Sequence, residues 1–264
     1  QNALYTVEMC GTTTPVHAGA EAPLARPLRT AQFVHGEDGM GDIGLPLAGR
    51  TPASRDAVAV LVDEISRRPA ASVTLVTLGP LTNVALAFRR DPSLAARLGA
   101  LVMMGGTGDA VGNITAVAEF NIWVDPEAAD EVFASGAPIT MVGWDISRKH
   151  AVIAPADAAR LRAAGPLGAF AVDIQATLTA FAAAETSLEG FDLPDPIAMA
   201  VAIDPSVATD VRRLNVRVVT GDGIAAGQTV IDHLNVEHRA PNADVVFEAS
   251  RDRFMDLLLR AHAG

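Results

Sequence analysis

Apolar positions recur along this chain in two periods, and the switches between them mark out its elements. Ala57, Val58, Leu61, Val62 and Ile65 follow i, i+3, i+4 spacing, which predicts an amphipathic helix with Ser54 placed to cap it. The run VTLVTL (73–78) is β-branched, ends at Gly79-Pro80 and reads as a strand; TNVALAFRR follows as a helix. ALVMM (100–104) reads as a second buried strand ending at Gly105-Gly106, and PITMVGW (138–144) as a third. Between them Asp125-Pro126-Glu127 opens a helix that stops at Gly136. Asp125 caps it, Pro126 suits the first helical position and Glu127 favours the positive end of the dipole. Two helices are expected over 155–164 and 167–186, and another from Asp195-Pro196 to about Ile203, with Asp195 in the capping role. VRRLNVRVV (211–219), the turn Gly221-Asp222-Gly223 and QTVI (228–231) suggest a late antiparallel element, and RDRFMDLLLRAH (251–262) a terminal amphipathic helix. Residues 1–9 read as the end of a helix. Residues 10–53 hold little periodicity, and FVHGEDGMGDIGLP (33–46), with four glycines, reads as a mobile loop.

Strands alternating with helices predict an α/β fold with a mainly parallel sheet flanked by helices. With no linker, repeat or low-complexity segment, the 264 residues are expected to form one domain, 1–264. The hydrophobic share of 50% supplies a sizeable core. A net charge of −11 argues against nucleic-acid polymers and anionic membranes as partners, while saying nothing against a neutral small molecule. The single Cys10 excludes a disulfide framework and a cysteine-rich metal site. With no apolar run long enough to span a bilayer and no visible secretory signal, a cytoplasmic location is expected.

In open parallel sheets ligands sit outside the carboxyl ends of the strands, which points to Leu78-Gly79-Pro80, to Gly105 through Asn121, and to Trp144-Asp145. Gly105-Gly106-Thr107-Gly108 is no dinucleotide fingerprint, because Val111 stands where the third glycine belongs and a polar loop follows. Asn113, Glu119 and Asn121 combine two amides and a carboxylate, which can both donate to and accept from sugar hydroxyls. The same residues also read as turn formers, Asn113 after Gly112 above all. Glu119, set among Val117, Ala118 and Phe120, is costly to bury unless paired or bound. His35 titrates near neutral pH if its loop moves, and otherwise reads as an exposed side chain. No HExxH, GxSxG or P-loop is present, and the other histidines lack metal-type spacing.

The ordered set FVHGEDGMGD (33–42), VTLVTLGPLTN (73–83), VMMGG (102–106), GNITAVAEFNIWVDPEAADEVF (112–133), ITMVGWDIS (139–147) and DPIAMAVAIDP (195–205) resembles the nucleoside hydrolases, over nearly the whole chain. The resemblance implies a Rossmann-like sheet, a homodimer or homotetramer, a nucleoside substrate and a Ca²⁺ cofactor. It implies that Asn113, Glu119 and Asn121 bind the ribose around its 5′ and 3′ hydroxyls. Asp195 would bind Ca²⁺ and approach the ribose diol, the Leu78 carbonyl would be a further Ca²⁺ ligand, and His35 would act catalytically from a loop closing over the substrate. The implied chemistry is hydrolysis of the N-glycosidic bond through an oxocarbenium-like state by a Ca²⁺-activated water, with an Asp as general base.

Two departures stand against the family pattern. The N-terminal DTDxGxDD motif, which supplies the base and most calcium carboxylates, has no counterpart in these residues. An incomplete chain is the expected explanation, with an unpaired sheet edge, and tight Ca²⁺ binding and turnover are not expected of these residues alone. Pro194 also stands where inosine-uridine members carry the His that protonates the leaving base. Trp144, Glu185 and Glu189 are candidates to line the base pocket. The competing readings are a non-catalytic ribose-binding or assembly subunit, and a hydrolase of another N-riboside such as nicotinamide riboside.

Overall fold

The computed structural model describes residues 1–185 and 189–263, with the backbone alone at Glu185. Eight strands occur among them: β1 (Thr74–Thr77), β2 (Ala100–Met104), β3 (Ile139–Val142), β4 (Val152–Ile153), β5 (Phe191–Asp192), β6 (Ala208–Val218), β7 (Thr229–Asp232) and β8 (Ala243–Ala249). Six of these form one sheet in the order β1-β2-β3-β8-β6-β7. β1, β2, β3 and β8 run parallel, whereas β6 pairs antiparallel with both β8 and β7. β4 and β5 make a separate antiparallel pair. The mainly parallel α/β sheet expected from the sequence is therefore present.

Side-chain alternation along the strands feeds two cores. In β2, Leu101 and Met103 pack with Ile139 and Met141 under the helices Thr82–Arg90 and Pro126–Ala134. Val102 and Met104 face the other side, against Val142, Ile146, Ile197 and Phe254. Leu101, Met103, Ile139 and Met141 are each fully buried, worth about 2 kcal/mol apiece on the transfer scale. β1 is an outer strand of the sheet, and its Leu75 is only partly buried.

Five local expectations are corrected. First, β8, between β3 and β6, is absent from the sequence reading, because seven residues after a polar stretch carry no regular alternation: its burial runs buried, half, buried, buried, half, exposed, buried. Second, Ser54 does not cap the helix Ala57–Arg67. Its hydroxyl lies 2.7 Å from His17 Nδ1 and its backbone bridges His17, so the first turn starts later, where Asp56 accepts from the Ala59 N–H at 2.8 Å. Third, the helix expected over 167–186 is two, Pro166–Asp173 and Ala176–Glu185, bent by 43°. The break is seated on the glycine loop, where a Cβ on Gly41 would come within 2.6 Å of the Ile174 carbonyl oxygen. Fourth, the loop 33–46 begins with a helical turn, Gln32–His35, packed on the helix Ala176–Glu185 through an edge-on Phe33–Phe181 contact at 6.0 Å. Fifth, Asp195 does not cap the helix Pro194–Ile203. Pro194 takes its first turn, and Leu193 stands at the cap position without a side-chain bond. Among the described residues no single helix is long and apolar enough to cross a membrane.

Candidate active site

A cavity of about 540 Å³ opens at the carboxyl ends of β1, β2 and β3. It brings together the residues expected to act on the ribose, the metal or the reaction: His35, Leu78, Asn113, Glu119, Asn121 and Asp195. Trp144 lines it too. Glu189 is exposed and is not among the lining residues, and the Glu185 side chain lies outside the described residues.

The loop between β2 and the helix Phe120–Val124 builds the polar wall. Gly112 is required because the loop folds back on itself: a Cβ there would meet the Ala118 backbone at 2.3 Å. That fold lets Asn113 Oδ1 accept the Phe120 N–H at 2.9 Å, so the turn-forming reading of Asn113 holds while its side chain also lines the cavity. Asn121 Nδ2 donates to the Met104 carbonyl at 3.3 Å, and its Oδ1 has no partner among the described residues.

Glu119 is buried, 2% exposed, and caps the helix Phe120–Val124 by accepting from Asn121 N at 2.9 Å and Ile122 N at 3.3 Å. It also accepts from Gly106 N at 2.9 Å, which ties the end of β2 to the helix start. A carboxylate has about four acceptor positions, so roughly one remains for a ligand. Burial pushes its carboxyl up to about 7, against the opposing pull of the backbone N–H donors; the nearby Asp195 adds to the rise.

Asp195 is half-buried in the first turn of its helix, and its side chain makes no hydrogen bond or ion pair among the described residues. Desolvation raises it to about 6. A carboxylate with no cap to make, facing a cavity, is available to a ligand. Leu78, at the end of β1, is 38% exposed, and the residue before it, Thr77, has a buried hydroxyl with no hydrogen-bond partner among the described residues. His35 sits at the rim, exposed on one side, and desolvation of its ring lowers its pKa below the ordinary imidazole value, which favours the neutral form.

The far wall escaped the sequence reading. Phe33, Val34, Ile114, Leu178 and Phe181 make it largely apolar, and Arg148, Gln175 and Asp192 supply its polar groups. Asp192 Oδ2 accepts from Trp144 Nε1 at 3.1 Å and from Ser147 Oγ at 2.6 Å, which fixes the indole in the wall. These residues come from five separate segments, so no local motif announces them.

Among the described residues no group of three or more His, Cys, Asp or Glu could hold a metal ion. A hard cation such as Ca²⁺ takes six to eight oxygens. Asp195 and the Leu78 carbonyl supply too few, so the residues described do not by themselves fit a calcium site.

Residues 1–256 match the family profile described as inosine-uridine preferring nucleoside hydrolase. The pyrimidine-specific ribonucleoside hydrolase RihA of Salmonella enteritidis is 39% identical over 246 residues, covering 92% of this chain and 78% of the relative. Among solved structures, the plant nucleoside hydrolase PpNRh1 superposes with a TM-score of 0.92 at 33% identity, covering 100% of this chain and 85% of that one. A purine-preferring ribonucleoside hydrolase from Gardnerella vaginalis gives 0.89 at 28% identity, covering 100% and 84%.

Proposed function

Since the chain belongs to the inosine-uridine preferring nucleoside hydrolase family, and so to the N-ribosyl hydrolases, we propose that this cavity binds a ribonucleoside and cleaves its N-glycosidic bond to give ribose and free base. The convergence of Asn113, Glu119, Asn121 and Asp195 in one cavity carries this reading. Asn121 Oδ1 accepts from a ribose hydroxyl. Glu119, held rigid by three backbone donors, accepts from another, and Asp195 takes the diol edge. Rigid positioning of this kind lowers the entropic part of the barrier. When the C1′–N bond lengthens, positive charge develops on the sugar, and two desolvated carboxyls, Glu119 raised to about 7 and Asp195 to about 6, place negative potential beside it when ionised. His35 stays part of the proposal as a rim residue that meets the substrate in its neutral form.

The family is metal-dependent, and Ca²⁺ is the cofactor the resemblance implies. Asp195 and Leu78 can be only part of its coordination, so further oxygen ligands are required. Residues 1–264 alone are expected to bind Ca²⁺ weakly, and a micromolar complex by calorimetry would contradict that. Assembly as a homodimer or homotetramer and a cytoplasmic location complete the proposal, checked by light scattering and cell fractionation.

The test is incubation of the full-length enzyme with uridine, inosine and nicotinamide riboside, with reducing sugar and free base measured. Equimolar ribose and base from a nucleoside support the reading. Binding without release would favour a non-catalytic subunit, and release from nicotinamide riboside alone would move the substrate class.

A further inference from the structure

Breaking an N-glycosidic bond leaves the bonding electron pair on the base. Unless that charge is neutralised, the bond re-forms. Pro194 has no proton to give, so the group that receives the charge must be sought elsewhere in the cavity. Among the described lining residues, Arg148 is the one side chain with a permanent positive charge. Its guanidinium lies over the Trp144 ring, 4.5 Å from the centroid. Its Nη2 donates to Asp109 Oδ2 at 2.6 Å, and its Nε is buried without a hydrogen-bond partner among the described residues. Of five N–H donors, most are therefore uncommitted.

The sheet places this stack beside the ribose wall. Met104, which holds Asn121, is the last residue of β2, and Trp144 follows the neighbouring strand β3. Adjacent strands lie about 4.8 Å apart, roughly the distance from a ribose to the ring of its base. Asp192 anchors the indole and Asp109 the guanidinium, so both planes are set before a ligand arrives.

We propose that Arg148, stacked on Trp144, receives the departing base by donating to a ring carbonyl oxygen, and so selects nucleosides of oxo-bases. This rests on the reading of the cavity as an N-ribosyl hydrolase site. The C1′–N bond breaks with its electron pair passing to the base nitrogen and delocalising onto the carbonyl oxygen held by Arg148. Water supplies oxygen to C1′, and the proton that it loses returns to the base, so nucleoside and water give ribose and neutral base. A guanidinium is always charged and offers donors only, so bases with a carbonyl edge, as in uridine and inosine, are favoured over adenosine, whose edge there carries an amino group.

The test compares natural nucleosides with p-nitrophenyl β-D-ribofuranoside, whose leaving group needs no help, in the full-length enzyme and its R148M variant. The expected result is a fall on the order of 10²-fold in kcat/KM for inosine and uridine, with the p-nitrophenyl riboside changed only a few-fold. D109N, which loosens the tether and keeps the cation, should show a smaller loss with the same dependence on leaving group. Equal losses on both substrate types, or none, would overturn the assignment of Arg148. Absence of hydrolysis of every riboside by the unsubstituted enzyme would instead overturn the reading of the cavity, and the assignment with it.

Discussion

Glu119 and Asp125 lie in one short segment, and each caps a helix, yet their surroundings differ completely. Asp125 is fully buried, and its two oxygens accept from Ala128 N at 3.1 Å, Leu24 N at 2.9 Å and Thr82 Oγ1 at 2.5 Å. All three donors are internal, and Asp125 is not among the residues that line the site cavity. Glu119 also accepts from three donors, but it borders the cavity, and burial lifts its carboxyl to about 7. Capping therefore does not by itself mark a carboxylate as structural. What separates Glu119 from Asp125 is whether the remaining lone pair meets the protein or an open space. Asp195 makes the point from the other side: a cap-like Asp-Pro sequence caps nothing and faces the cavity.

The sharpest way to break this comparison is substitution of both carboxylates. E119Q should lower kcat/KM for uridine by 10²- to 10³-fold while the far-ultraviolet spectrum is unchanged. D125A should do the reverse. It leaves three donors unpaired and is expected to cost about 3 kcal/mol in urea unfolding, with kcat/KM of the folded enzyme within a few-fold of the parent. A large activity loss in D125A with stability intact, or full activity in E119Q, would erase the distinction.

A smaller effect follows from pH. Asp195 is raised by burial to about 6, so its protonated form is favoured in the folded state. Such a group contributes no penalty below the ordinary carboxylate range, near pH 4, and its penalty is complete once pH has risen past the folded value. D195N should therefore unfold at higher urea than the parent at pH 8, by on the order of 2 kcal/mol, and match it at pH 4. The same variant should lose activity. A difference that is equal at both pH values would contradict the account. Smallest of all, D56A should cost about 1 kcal/mol, and S54A clearly less, because Asp56 and not Ser54 caps the helix Ala57–Arg67.

Much of the fold is legible in the chain because its signals are local. ALVMM spans β2, Asp125-Pro126 opens a helix as read, and the terminal helix Arg251–His262 matches its periodic run. The failures have non-local causes. Ser54 is diverted by His17, the helix over 167–186 is broken where it meets Gly41, and β8 is held by neighbours on both sides and not by its own pattern. The polar wall of the cavity was legible because Asn113, Glu119 and Asn121 fall in one short stretch of the chain. The apolar wall was not, since Phe33, Arg148, Phe181 and Asp192 meet only when distant segments pack.

The measurement that tests the central claim most directly is ribose release from uridine and inosine by the full-length enzyme, with E119Q and D125A assayed in parallel. The account predicts equimolar ribose and base from the parent, near-parent rates from folded D125A, and a loss of at least about 10²-fold in E119Q. No ribose from the parent, or undiminished release by E119Q, would contradict it.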